Sequence, residues 1–251
     1  MPSAKGLIKS KKILGVPVAT LGLGEIPKVI INNIKVGGKK QFFYVNAHCL
    51  TLAQKDKEYL SILKRADLVY SGGMGPVLAS RILLRPLPER TPTPDFIDQV
   101  FEAGEDKNWT FYFLGAELRS LEKAVKKIKQ KFPRLAVVGY HHGYFDEGEE
   151  RKIIADINRK RPTVLIVGMG MPKQEKWIAK NMGKINAGVF WSVGALFDII
   201  SGKMSRGPVW MQKVGLEWLF RLYQEPKRLW KRYTLGNIYF VYLIFKAKFY
   251  K

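Results

Sequence analysis

Residues 163–177, Thr163-Val-Leu-Ile-Val-Gly-Met-Gly-Met-Pro-Lys-Gln-Glu-Lys-Trp177, decide the fold. The uncharged, β-rich start of this stretch predicts a buried parallel strand. Gly168 and Gly170 then let backbone amides come close to a ligand. Pro172 is suited to open a helix, where its missing N–H would have had no partner anyway. The amides of that first turn, with the positive end of the helix dipole, suit a phosphate. Lys173 and Gln174 would add a charge and a neutral amide to the same mouth. Many α/β folds use such a glycine turn for packing alone, so its shape leaves a nucleotide site and a packing turn both open.

Outward from this stretch the pattern alternates. Strands are expected at 13–20, 42–46, 68–70, 110–114, 135–140, 163–167 and 188–193. Helical periodicity fills 25–36, 50–65, 76–84, 95–102, 118–132, 147–160 and 173–183. Such alternation predicts an α/β fold, a Rossmann-like parallel sheet flanked by helices, with ligands at the carboxyl ends of the strands. Residues 109–201 read as a β-α-β-α-β unit. Residues 85–94 carry four prolines, Pro86, Pro88, Pro92 and Pro94. They predict an extended loop, either an active-site wall or a plain connector, in which Glu89 and Arg90 could pair with each other or meet a ligand.

The chain has 251 residues, 47% hydrophobic and 25% charged, enough for one good core or two small ones and unlike a disordered sequence. Its single cysteine, Cys49, excludes an internal disulfide and suits a reducing compartment. His48, His141 and His142 make no metal motif by themselves, so neither a metal nor a cofactor is expected. No secretory leader is expected around Lys5, Lys9, Lys11 and Lys12, where apolar sequence is too short.

Charge is the strongest compositional signal, a formal +22 that attracts phosphates, nucleic acid or an anionic bilayer. Residues 203–251 hold eleven Lys or Arg against only Glu217 and Glu225, mixed with rings from Trp210 to Tyr250. Aromatic rings of this kind suit a water–lipid boundary. The apolar run 235–245 is too short to cross a bilayer, which takes about 20 helical residues. The division expected is an α/β domain over 1–202 and a basic, aromatic helical appendage over 203–251 that lies on a membrane. Packing of that appendage on the protein's own core is the alternative. Nucleic acid is not expected, because no binding signature for it accompanies the basic tail.

The segment Gly170-Met-Pro-Lys-Gln-Glu-Lys-Trp177 resembles the Gly-x-Pro-x-Gln-Glu-x-Trp signature of the WecG/TagA/CpsF family of bacterial glycosyltransferases. Further pieces match in order: Asn46-Ala47, Ala66-Asp-Leu-Val69 leading into Gly73-Met-Gly75, Pro86-Leu-Pro-Glu-Arg90, His141-His-Gly-Tyr-Phe145, Phe197-Asp198, Gly215-Leu-Glu-Trp-Leu219, Arg221 and Glu225-Pro226. The resemblance implies inverting, metal-independent transfer of a sugar, typically N-acetylmannosamine, from a UDP donor to a polyprenyl-diphosphate-linked sugar. It places the chain peripherally on the cytoplasmic membrane face, and a homodimer is compatible with it. It implies donor contact by Gln174, with Tyr44, Asn46, Gly73, Gly75, Arg90, Gly168 and Lys173 about the same cleft. Arg206, Arg221 and Arg228 are diphosphate candidates on a tail that helps to close the site.

The sequence departs from the family pattern at several points, among them His48 where an acidic residue is common and Ser192-Val-Gly-Ala195 where Gly-Val-Gly-Gly is usual. The aspartate proposed as base in relatives is replaced by Gly72 in Ser71-Gly72-Gly73-Met74-Gly75, and the threonine two residues before the family's asparagine is replaced by Tyr44. Glycine cannot accept a proton. His48, with an unperturbed pKa of about 6.5, is the best substitute base, ahead of Asp67 and Asp95. Slow transfer without a residue base, and a scaffold chain that binds nucleotide sugar or lipid-linked sugar without transferring it, are the other readings.

Overall fold

A computed structural model describes residues 8–249. Lys5, Tyr250 and Lys251, named above for charge or ring, lie outside them. The chain begins with a hairpin, β1 (Ser10–Ile13) against β2 (Val16–Ala19), which forms its own two-stranded antiparallel sheet. The single strand expected over 13–20 is corrected here. Leu14 and Gly15 both take left-handed backbone, with φ of 46° and 79°, and turn the chain back on itself as a two-residue hairpin loop does.

The alternating body follows as α1 (Ile26–Val36), β3 (Lys40–Val45), α2 (Ala47–Lys55), α3 (Lys57–Arg65), β4 (Leu68–Ser71) and α4 (Met74–Ile82). After the proline loop and a 3-10 turn at Thr93–Asp95 come α5 (Ile97–Asp106), β5 (Thr110–Gly115), α6 (Leu118–Lys131), β6 (Ala136–His141) and α7 (Glu147–Lys160). Then come β7 (Val164–Gly168), α8 (Lys173–Asn181), β8 (Val189–Ser192) and α9 (Leu196–Ser201). The one helix expected over 50–65 is two, because Asp56 stops α2 and its carboxylate accepts from Tyr59 N at 2.9 Å to cap α3. Likewise Pro172 does not begin α8 but precedes its first residue, and the Met171–Pro172 peptide is cis.

Six strands form one sheet in the order β4-β3-β8-β7-β5-β6, every pair parallel. Their side chains alternate between two apolar layers, so that Phe43 and Phe190 face one and Phe42 and Trp191 the other. The first layer contains residues of α2, α3, α7 and α8, and the second contains residues of α1, α5, α6 and α9. Helices after neighbouring central strands therefore leave to opposite faces: α2 and α8 after β3 and β7, α9 and α6 after β8 and β5. That divergence opens a crevice beyond the carboxyl ends of the strands.

The appendage is four helices, α10 (Val209–Lys213), α11 (Glu217–Gln224), α12 (Pro226–Tyr233) and α13 (Leu235–Phe249). Helix α13 returns to the body, where Phe240, Leu243 and Ile244 are buried in the first layer with α2. Full burial of an aliphatic or aromatic side chain contributes about 1.5–3 kcal/mol. Three such residues hold α13 on the body, as the packing alternative expects, while Leu235, Ile238, Val241, Tyr242, Phe245 and Phe249 stay exposed. Among the described residues no helix is long and apolar enough to cross a membrane.

Candidate active site

The mouth of the crevice is built by the residues that follow β3, β4, β7 and β8. Asn46 caps α2, its Oδ1 accepting from Cys49 N at 3.0 Å, and its Nδ2 lies 3.7 Å from Met171 sulfur in the Gly-Met-Pro turn. Gly73 caps α4, and a Cβ built there would lie 3.6 Å from Asn46 Cβ. A Cβ on Gly75 would stand 2.7 Å from Ala47 Cβ, so this glycine serves the contact between α4 and α2. Two strand ends separated by 26 residues thus form one corner.

Tyr44 occupies the floor of that corner. A Cβ on Gly72 would overlap its ring and lie 3.1 Å from Tyr44 Cβ; a Cβ on Gly194 would overlap its hydroxyl and lie 3.1 Å from Cζ. The ring is wedged between two positions that must lack side chains. The departures at 44 and 72 are therefore linked: the aromatic at 44 fills the space that a side chain at 72 would need. Burial, with Cys49 and Glu175, raises the Tyr44 pKa well above the phenol range, against the opposing pull of Arg232 and Arg221, so the hydroxyl stays protonated.

Gln174 is fully buried. Its Oε1 accepts from Gly194 N at 3.1 Å and its Nε2 donates to Glu175 Oε1 at 2.6 Å, so the amide ties the end of β8 to the first turn of α8. Burial pushes the Glu175 carboxyl up to about 7, against the hydrogen bonds of Gln174 and Ser192. Gly168 is engaged in packing: its carbonyl accepts from Ala116 N at 3.0 Å, and a Cβ on it would meet Gly194 O at 2.8 Å. Gly170, with φ of 77° and open space beside it, is the glycine of the turn that a ligand can approach. Its carbonyl accepts from Gln174 N at 2.9 Å, so that first-turn amide is not free for a phosphate. Lys173 reaches across to Gly143 O at 2.9 Å, joining the loop after β6 to the turn.

His48 lies on the first turn of α2. Burial lowers its pKa to about 4, and Arg232 adds to the effect, so the ring is neutral at pH 7 but a weaker proton acceptor than free imidazole. Asp67 accepts from Gln41 N at 2.9 Å and is engaged locally. The proline loop is a wall, because Thr91 N donates to Ser71 O at 2.6 Å and Tyr70 Oη and Thr93 Oγ1 share a 2.6 Å hydrogen bond. Its Glu89 and Arg90 do not pair with each other. Glu89 accepts from Leu23 N at 2.7 Å, and Arg90 pairs with Asp95 at 3.3 Å.

The cations sort by their partners. Arg206 is paired with Asp95 and, at 3.4 Å, with Glu217, latching the appendage to the loop wall. Arg228 is paired with Glu225 at 2.7 Å on an exposed surface. Arg221 and Arg232 have no carboxylate partner among the described residues. Arg221 rests on Met204 sulfur, and Arg232 lies 3.7 Å from Met171 sulfur with its Nε buried and unpartnered. Both guanidinia act electrostatically on Tyr44. Arg232 was not singled out in the sequence, where nothing separates it from the other basic residues of the tail.

The model of the glycosyl transferase WecG/TagA/CpsF family matches residues 11–251. An N-acetylglucosaminyldiphosphoundecaprenol N-acetyl-beta-D-mannosaminyltransferase of Staphylococcus aureus strain MW2 is 29% identical over 203 residues, 81% of this chain and 78% of the relative. The protein of the same name in strain NCTC 8325 / PS 47 matches to the same extent, 29% over 203 residues.

The wedge makes a prediction about stability. Gly72→Asp alone is expected to destabilise the fold by about 1–3 kcal/mol through overpacking. Adding Tyr44→Thr should return most of that loss. Thermal denaturation of the two variants checks it, and a single variant as stable as the parent would refute the interlock.

Proposed function

The chain belongs to the WecG/TagA/CpsF family of glycosyltransferases, and from that premise we propose that it transfers N-acetylmannosamine, or a related hexose, from a UDP donor to a polyprenyl-diphosphate-linked sugar. The acceptor class is the one named for the staphylococcal relatives. The transfer we propose inverts the anomeric carbon in a single displacement. The acceptor oxygen bonds to that carbon as the bond to UDP breaks, the hydroxyl proton passes to a base, and the leaving diphosphate takes the negative charge.

The observation that carries this reading is the pair Arg221 and Arg232. Two guanidinia without carboxylate partners among the described residues act on the floor of the crevice, one of them with a buried, unsatisfied Nε. Both side chains are half-buried, and a partly desolvated guanidinium with a buried, unpartnered N–H is stabilised when an acceptor such as a diphosphate arrives. On this reading they stabilise the leaving group without a metal in the step. Arg206 and Arg90 hold the wall, and Gln174 positions the turn from inside. His48 is the neutral acceptor nearest to these groups in kind, and positioning supplies much of the rate that a weak base does not.

We further propose that the appendage rests on an anionic membrane, on the cytoplasmic face. The exposed stripe of α13 is apolar, Lys246 and Lys248 lie exposed on the same helix, and Lys227, Arg228 and Lys231 lie exposed on the adjoining α12. Each basic residue near an anionic leaflet contributes about 1 kcal/mol.

Release of UDP from a panel of UDP-sugars with a lipid-diphosphate acceptor tests the reaction. Arg232→Ala is expected to lower kcat/KM by about 10²–10³, the loss typical of removing one preorganised charge-stabilising donor. Arg228→Ala should stay close to the parent, and equal effects of the two would sink the assignment. For His48 as base, activity should hold from neutrality down to about pH 5 and fall through about pH 4, where the ring takes a proton; an acid limb near 6.5 would exclude it. Ile238→Glu with Phe245→Glu, both on exposed positions, should release the folded protein from anionic vesicles in a cosedimentation assay. Unchanged binding would refute the lipid contact.

A further inference from the structure

Three side chains outside the crevice floor converge where the sequence showed only a histidine pair. His141 ends β6, His142 follows it, and Glu149 lies in the first turn of α7. His141 Nε2 is 3.5 Å and His142 Nε2 is 3.8 Å from the same oxygen, Glu149 Oε1, and the two ring centroids are 4.3 Å apart. Among the described residues this is the one group of histidine, cysteine and carboxylate side chains whose donor atoms lie close enough to share a cation.

Donor atoms of a tetrahedral zinc site, with bonds of about 2.0–2.2 Å, stand about 3.3 Å apart. The two histidine-to-carboxylate separations, 3.5 and 3.8 Å, are a few tenths of an ångström longer, and all three donor atoms lie within 4.8 Å of one another. The hydrogen bond of His141 points the same way. His141 Nδ1 is 2.9 Å from His142 O, a carbonyl that can only accept, so the proton of the neutral ring belongs on Nδ1. That leaves the lone pair of Nε2 facing a carboxylate oxygen, a contact that either a metal ion or a second ring proton has to bridge. Donation of the second ring nitrogen to a carbonyl is also the usual way a ligating histidine is oriented. His142 Nδ1 accepts from Tyr144 N at 3.3 Å, a long contact that must yield for this ring to ligate through Nε2.

The surroundings favour a cation on a chain that is otherwise strongly basic. Asp146, Glu147, Glu149 and Glu150 crowd the start of α7; Asp146 caps the helix and Glu150 holds Asn181 at 3.1 Å, which leaves Glu149 to the histidines. The loop is fixed rather than loose, since Lys173 holds Gly143 O and Gly143 N donates to Ala116 O at 2.9 Å. We propose that His141, His142 and Glu149 form a binding site for a divalent transition-metal ion, zinc best matching the donor set, with a fourth position open at the rim of the crevice. Three protein ligands and one open position suit a bound water or an anionic ligand atom. The transfer step proposed above places its charge on arginines, and this site stands independently of it.

The test uses the full chain, stripped with a chelator and dialysed, and reads binding alone. Zinc is titrated calorimetrically, and cobalt(II) reports the ligand set by its visible spectrum. One ion per chain is expected, with a tetrahedral nitrogen–oxygen cobalt spectrum lacking thiolate charge transfer, since Cys49 is buried elsewhere. His141→Ala and Glu149→Gln should each weaken binding at least about tenfold, while Glu147→Gln should not. Circular dichroism of the variants shows that they remain folded. No saturable binding in the parent chain, or binding that His141→Ala and Glu149→Gln leave unchanged, would overturn the proposal.

Discussion

A side-chain amide with no access to solvent holds the mouth of this protein together. Gln174 accepts from Gly194 N and donates to Glu175, so the turn before α8 and the turn after β8 share one polar tie inside an apolar layer. Breaking such a tie leaves buried donors and acceptors unpaired, at about 1–3 kcal/mol for each neutral group. Water cannot replace it without opening the layer. Everything that faces the crevice depends on this tie: the open Gly170, the position of Met171 against Asn46 and Arg232, and the glycine at 194 on which the Tyr44 hydroxyl rests.

The wedge of Tyr44 is the next consequence. A ring pinned between Gly72 and Gly194 is protonated, and it removes the room for a side chain at position 72, where the family resemblance implies an aspartate. What remains at the floor is neutral or cationic: Tyr44, a neutral His48, Arg221 and Arg232. Glu175 lies beneath with its carboxyl pushed up to about 7, so it adds only partial negative charge there at neutrality. The electrostatics therefore favour an anionic ligand strongly and proton removal weakly. Charge stabilisation and positioning have to supply most of any rate, with a base of modest strength.

The fold was legible because hydrophobic alternation survives in a single sequence. The six parallel strands and most of the helices stand within a few residues of where their periodicity puts them. Two of the three corrections have causes inside the chain's local pattern. The run at 13–20 is continuously apolar, so its hairpin turn is visible only in the left-handed backbone of Leu14 and Gly15; the break at Asp56 is a capping event inside an unbroken helical period. The site was legible as a set of segments but not as roles. Whether Gln174 faces a ligand or the core depends on the rotation of α8. Which arginine meets an anion depends on where the carboxylates land, and Asp95, Glu217 and Glu225 land on Arg206 and Arg228. Glu149 reaches the histidines only because a loop closes between β6 and α7.

The appendage joins the two halves of the proposed function on one piece of chain. Arg232 is on α12, and α13 begins three residues later. The buried stripe of α13 fixes that helix on α2, the helix that also carries His48 behind the Asn46 cap. A membrane that receives the exposed stripe of α13 therefore bears on an element already locked to the crevice, and it does so close to Arg232. On the proposed reading, the lipid-borne diphosphate and the surface that presents it approach the same side of the molecule. This geometry accounts for the two crevice guanidinia, Arg221 and Arg232, lying on the tail: on the proposed reading, charges that meet a diphosphate tethered to lipid are needed on the side where the exposed stripe of α13 lies.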